Sequence, residues 1–121
     1  MPIAFEGVLM ATAYKILGQN NPSATTETTL YTVPSTTSTV VSSLSICNQT
    51  ASAATYRIAI QPSADAGSAA TAKHWIVYGA TVAASDSTIL TLGVTLATGD
   101  RIRIYASTAN LSFSAFGSEI S

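Results

Sequence analysis

Along most of the chain, apolar and polar residues alternate with a period of two in short runs, the spacing that sends neighbouring side chains to opposite faces of a strand. In residues 39–48, Val40, Leu44 and Ile46 fall on one face with Ser42, while Val41, Ser43, Ser45 and Cys47 fall on the other. Tyr56, Ile58 and Ile60 alternate with Arg57, Ala59 and Gln61. Further on, Leu90 and Leu92 alternate with Thr91, Ile102 and Ile104 with Arg101 and Arg103, and Leu111 and Phe113 with Ser112 and Ser114. Each run presents one face suited to a core. Two runs are less regular: residues 28–33, closed by Pro34, and residues 73–78, where His74, Trp75, Ile76, Val77 and Tyr78 are almost continuous. The second reads as a strand covered on both faces.

Turn signals separate the runs: Pro34-Ser35-Thr36, Asn48-Gln49-Thr50, residues 63–71 around Asp65-Ala66-Gly67, Ser85-Asp86 and Thr98-Gly99-Asp100. Short strands at this spacing predict an all-β, single-domain antiparallel β-sandwich, jelly-roll or immunoglobulin-like, with seven to eight strands over residues 19–121. Residues 63–71, rich in Ala and Ser, read as a short helical turn or a mobile surface loop. Residues 1–18 stand apart, because Ile3, Phe5, Val8, Leu9 and Met10 precede the regular pattern. An exposed apolar arm needs a neighbour to cover it. This segment is therefore either an arm docked on an adjacent subunit or an edge strand of its own domain.

Composition sharpens the picture. The 121 residues suffice for one domain, and only 9% of them are charged, with 5 Lys and Arg against 6 Asp and Glu. An average domain carries about 25%. The five cations, Lys15, Arg57, Lys73, Arg101 and Arg103, form no large cluster, so a nucleic-acid partner is not expected. Little charge means little self-repulsion, a liability for a dilute monomer that residence in an assembly removes. Ala, Ser and Thr supply 54 of the 121 residues, a mixture suited to closely apposed sheets. The single cysteine, Cys47, excludes an intrachain disulfide. No apolar run reaches membrane-spanning length, and Glu6 before Lys15 reverses the charge order of a signal peptide. A chain that is cytosolic when made, without a membrane span, is the expectation.

Candidate chemistry is sparse. His74 is the only imidazole, and no Gly-x-Ser-x-Gly elbow accompanies it, so it reads as a packed or surface residue rather than a general base. One His and one Cys do not make a zinc site, and Glu6, Glu27, Asp65, Asp86, Asp100 and Glu119 lack calcium-loop spacing. No catalytic residue, metal or cofactor is expected. Cys47 reads as small buried or interface filler, and Asn48-Gln49-Thr50 as a turn despite matching a glycosylation acceptor. Arg101 and Arg103 fit a solvated edge, an ion pair with an acidic neighbour, or a partner surface. Trp75, Tyr78, Phe113 and Phe116 read as core, with a sugar-stacking platform as the alternative.

Three stretches carry a resemblance to a known family: Lys15 to Gln19 followed by Leu30 to Pro34; Val40 to Asn48 followed by Tyr56 to Ala59; and Tyr105 to Ser107 through Leu111-Ser112-Phe113 to Phe116-Gly117-Ser118-Glu119. In that order and spacing they resemble small virion structural proteins of tailed bacteriophages, notably those infecting cyanobacteria and other aquatic bacteria. The likeness runs from about Lys15 to the C-terminus. It implies a place in the virion and suggests a β-sandwich, without assigning a location. The expected role is a capsid cement or decoration protein, with a tail fibre, baseplate or collar module next and a carbohydrate-binding module third. Expected partners are other virion proteins, first the major capsid protein and then a tail protein, with self-association into a homo-oligomer. The residues expected at such contacts are Ile3, Phe5, Val8 and Leu9 in the arm, Asp65 and Gly67 in the 63–71 segment, and Arg101 and Arg103.

Overall fold

A computed structural model describes residues 11–121, so the arm residues Ile3, Phe5, Val8 and Leu9 lie outside the described part. Eight strands follow one another: β1 (Thr12–Asn20), β2 (Thr28–Thr32), β3 (Ser38–Asn48), β4 (Ala54–Gln61), β5 (Trp75–Val82), β6 (Ser87–Leu96), β7 (Arg101–Ala106) and β8 (Leu111–Ile120). They form two four-stranded sheets, ordered β1-β8-β3-β6 and β2-β7-β4-β5, with every pairing antiparallel. Four of the pairings, β1 with β8, β2 with β7, β3 with β6 and β4 with β5, are those of one long hairpin whose tip lies between β4 and β5. Rolling that hairpin adds β3 with β8 and β4 with β7, which is the jelly-roll form of the sandwich. The ladder of β1 and β8 continues through two hydrogen bonds between Ala11 and Ser121, at 3.1 and 2.9 Å.

Unbroken alternation places the inward residues as the sequence predicts. Ile102, Ile104, Leu111, Phe113 and Ala115 have no solvent exposure, and Leu90, Leu92 and Val94 pack against them from β6. In β3 the pattern is shifted. A β-bulge between Val41 and Ser43 inserts one residue, so Val41 rather than Val40 shares the core face with Leu44 and Ile46. The prediction of a doubly covered strand also moves. β5 is a sheet edge with Ile76 and Tyr78 exposed, whereas β4 is buried on both sides: Tyr56 and Ile58 face the core, and Ala59 and Gln61 lie under the connection from β4 to β5. Lys73 and His74 precede β5 in a single 3-10 turn, Ala72–His74.

β1 crosses the boundary expected at residue 18, pairing with β8 from Thr12 to Asn20, so residues 12–18 belong to the sheet. Its apolar residues Tyr14 and Ile16 point outward, 87% and 52% exposed, which is why no core-facing pattern marks it as a strand. Only Leu17, at a bulge, reaches the core. Asn48 closes the other end of the sandwich. It is 2% exposed, its amide nitrogen donates to the Ser52 and Val82 carbonyls at 2.9 and 3.2 Å, and its Oδ1 accepts from Thr50. The acceptor-like tripeptide is thus a turn, with its amide nitrogen committed inside the fold.

Glu119 joins β8 to β2 and β1. It accepts from the Tyr31 hydroxyl at 2.5 Å and from Lys15 Nζ at 2.9 Å, and Tyr31 also meets Thr39 Oγ1 at 2.7 Å. The Tyr31 bond, then the Lys15 bond, hold the Glu119 carboxyl below its usual 4.5 against the opposing effect of burial. Its contribution to stability is therefore complete above pH 4.5 and is lost as the pH falls through the depressed value. Burial, then the bond to Glu119, push the Tyr31 hydroxyl from 10.0 to about 12, so its contribution is complete below pH 10 and is lost as the pH rises toward 12. Glu119→Gln is expected to lower the urea midpoint at pH 7, with the gap from wild type closing as the pH is taken to about 2. A gap unchanged at acid pH would show that the carboxylate is not the source.

Candidate interaction faces

The two sheets turn very different outer faces to their surroundings. Register across β1, β8, β3 and β6 sets out rows of outward residues: Tyr14, Ser118, Val40 and Thr95; then Ile16, Phe116, Ser43 and Thr91; then Gln19, Ser114, Ser45 and Ile89; then Ser112, Cys47 and Ser87. None of these residues is charged. The only charged residues of the four strands, Lys15 and Glu119, lie in the opposite rows and pair with each other. Tyr14, Ile16 and Ile89 remain largely exposed. A shallow depression of about 330 Å³ runs between Tyr14, Val40, Phe116 and Ser118, with the half-exposed Lys15 at its margin.

The outer face of β2-β7-β4-β5 carries all three arginines. Arg103 is bound to Glu27 at 2.6 Å and to Thr29 Oγ1 at 2.7 Å, both groups nearly buried. Arg101 donates to Gln61 Oε1 at 2.6 Å and to the Ser68 carbonyl at 2.9 Å, and burial there lowers its pKa. β7 is an inner strand, so neither arginine sits at a solvated sheet edge. The third row, Tyr78, Arg57 and Tyr105, crosses β5, β4 and β7 and stacks the Arg57 guanidinium between two rings.

Of the residues expected at contacts, the four that are described, Asp65, Gly67, Arg101 and Arg103, lie on or beside the 63–71 segment. Segment 63–71 opens with the 3-10 turn Ser63–Asp65 and folds down onto β4 and β7. Ser63 N–H donates to Asp100 at 2.9 Å, Ser68 accepts from Gln61 and Arg101, and Ala70 N–H donates to Glu27 at 3.0 Å. His74 locks the far end. Its Nδ1 accepts from the Thr71 N–H at 2.9 Å, so Nε2 carries the proton and donates to Asp65 at 2.9 Å. That bond, more than Lys73 at 3.5 Å, holds the Asp65 carboxyl below its ordinary range. His74 is 4% exposed and the ring nitrogen a base would use is occupied by backbone. It is a loop clasp. Gly67, at the loop tip, is exposed and has open space around its Cα.

Sequence reasoning missed the uncharged face and the Arg57 row. Charge is absent from every second position of β1, β3, β6 and β8, but only the strand order turns those positions into one surface. Phe113 and Phe116 separate as well, the first into the core and the second to the outer face; Trp75 and Tyr78, expected in the core, pair on the outer face at 5.5 Å.

No protein-family model matches the chain, and neither does any curated protein. Its fold is similar to that of a chain in the structure of infectious bursal disease virus, Gx strain, with TM-score 0.52 and 13% identity over 93% of this chain and 32% of that one. A chain of the T13 viral particle of the same virus gives TM-score 0.50 and 13% identity over 93% and 30%. A pentameric capsid protein isolated from metagenomic phage sequences gives 0.27 at 18% identity over 89% and 59%, too low to establish a shared fold. The chain spans about a third of the length of the two bursal disease virus chains.

Proposed function

We propose that the protein is a structural subunit of a virus particle, a capsid cement or decoration protein of a tailed bacteriophage, acting through contacts and not through chemistry of its own. The observation that carries this reading is the uncharged outer face of the β1-β8-β3-β6 sheet. Four strands of about nine residues cover roughly 600 Å² of flat area, approaching the ~800 Å² per partner of a standard interface. The one cation at its margin, Lys15, is already paired with Glu119, so burying Tyr14, Ile16, Phe116 and Ile89 desolvates little charge. Its complement is a face equally free of charge, and a second copy of this chain supplies one through a two-fold sheet-on-sheet contact. The resulting oligomer would then seat on the major capsid protein. The jelly-roll topology and the fold shared with chains of a virus particle support the same reading.

Ile16→Asp and Ile89→Asp each place a charge on this face without touching the core. Each is expected to weaken self-association at least about tenfold, by the cost of burying an unpaired charge, while leaving the melting temperature of the monomer nearly unchanged. Mass by light scattering over a concentration series is the measurement. A wild-type chain that stays monomeric at high concentration would remove the self-contact. Quantitative mass spectrometry of purified particles tests the location: copies in the hundreds fit a shell component, and copies in the tens or fewer would move the chain to the tail.

A further inference from the structure

The outer face of the second sheet holds a cluster that a subunit role leaves unused. The Arg57 guanidinium carbon lies 4.1 Å from the Tyr78 ring centre, 4.4 Å from Tyr105 and 5.9 Å from Trp75. Trp75 and Tyr78 meet edge to face, with centroids 5.5 Å apart and planes at 73°. Among the described residues the other four cations all have oxygen partners: Lys15 has Glu119, Lys73 has Asp65, Arg103 has Glu27, and Arg101 has Gln61 and Ser68. Arg57 has no hydrogen bond or ion pair among them. Three ring centres lie within 5.9 Å of its guanidinium carbon and no acceptor among the described residues takes its N–H donors, which leaves them for a two-oxygen acceptor. On the far side of two of these rings, Trp75 and Tyr78, opens a shallow cleft of about 460 Å³ that they line together with Ala70, Thr71 and Ala72.

We propose that this cleft binds an acidic saccharide, with the carboxylate of a uronic or sialic acid unit on the Arg57 edge and the C–H face of the sugar on Trp75 and Tyr78. One unpaired cation matches one carboxylate. A polyanion, whether nucleic acid or a phosphorylated or acidic peptide, would need several cations, and here Arg103 and Lys73 are paired with Glu27 and Asp65 while Arg101 spends its donors on Gln61 and Ser68. The aromatic wall demands an apolar, fairly flat surface next to the anion, which a pyranose ring presents and an Asp or Glu side chain does not. The cleft has the volume of a small-ligand site, whereas a protein partner would need a broad flat patch.

Trp75 is the only tryptophan, so its fluorescence reports on the cleft directly. Wild-type protein would be titrated with digalacturonate and sialyllactose, then with methyl-esterified digalacturonate and lactose as uncharged counterparts, and with a Glu-rich peptide. Saturable change is expected with at least one acidic sugar at a Kd of about 1 mM or tighter, and about tenfold weaker for its uncharged counterpart. Arg57→Gln should lose that preference for the acid. Tyr78→Ala, at an exposed position, should weaken binding of both forms while the melting temperature is held. No saturable change with either acidic sugar by about 20 mM, equal affinity for acid and counterpart, an unaltered preference in Arg57→Gln, or tighter binding of the peptide than of any sugar would each overturn the proposal.

Discussion

Phe113→Ala is expected to cost about 3–5 kcal/mol of unfolding free energy. Phe113 is the largest side chain with no solvent exposure among the described residues, and it sits in the first half of β8, an inner strand of its sheet. From there it crosses to the opposite sheet and meets Tyr56 edge to face at 6.3 Å, so its removal empties the space between the layers. The surrounding Ile46, Ile58 and Ile104 are held by backbone ladders on both sides and cannot collapse into the void. Phe116→Ala, three residues along the same strand but on the outer face, is the matched control. In the isolated monomer it should cost under about 1 kcal/mol, with its larger effect on self-association. Chemical denaturation of both variants at low protein concentration makes the comparison, and similar losses would mean that the inner and outer faces have been misassigned.

Gly117→Ala is expected to lower the melting temperature by roughly 5–10 °C. A Cβ at residue 117 would run into the carbonyl oxygen of Val40 on β3 and come within 3.1 Å of Leu17 Cδ1. Both obstacles are fixed: the first is backbone beside the β3 bulge, and the second belongs to the core. The β3–β8 pairing at the centre of the sheet would have to open to make room. Gly67→Ala, where a Cβ meets nothing within 4 Å, should melt within about 2 °C of wild type. Differential scanning calorimetry of the pair is sufficient, and equal melting points would show that the sheet absorbs the methyl group by a small shift.

These residues also mark how far the sequence could be read. Ile102, Ile104, Leu111 and Phe113 were legible because their strands alternate without interruption and face a core on one side. Val41 was not, because a bulge changes the parity of β3 without leaving a Gly or Pro to announce it. β4 and β5 exchanged roles for a different reason: continuous hydrophobicity in residues 74–78 suggested cover on both faces, but cover depends on whether a loop folds over a strand. The 62–74 connection lies over β4, fixed by Gln61, Arg101, Glu27 and His74, none of which is close to all the others in sequence. The candidate interaction faces were the least visible part. Tyr14 and Ile16 fall in the 1–18 segment read only as an arm or an edge strand, and Arg57 stands in sequence as an isolated cation. Each acquires meaning only from the residues that strand order sets beside it, namely Phe116 and Val40 in the first case and Tyr78 and Tyr105 in the second.

The two hydrogen bonds that tie Ala11 to Ser121 put residues nearly the whole chain apart side by side on one sheet edge. Cut to residues 11–121, the domain could be closed by a short linker between these two residues with little strain, and new termini could be cut at the Gly67 loop tip, which projects into open space. Such a permutant would turn the tip of the rolled hairpin into free ends and its open end into a turn, while keeping every strand pair. The same adjacency suits the domain to genetic insertion: spliced into a surface loop of another protein, it would enter and leave at one point and hold its host's backbone together like a bead on a closed loop.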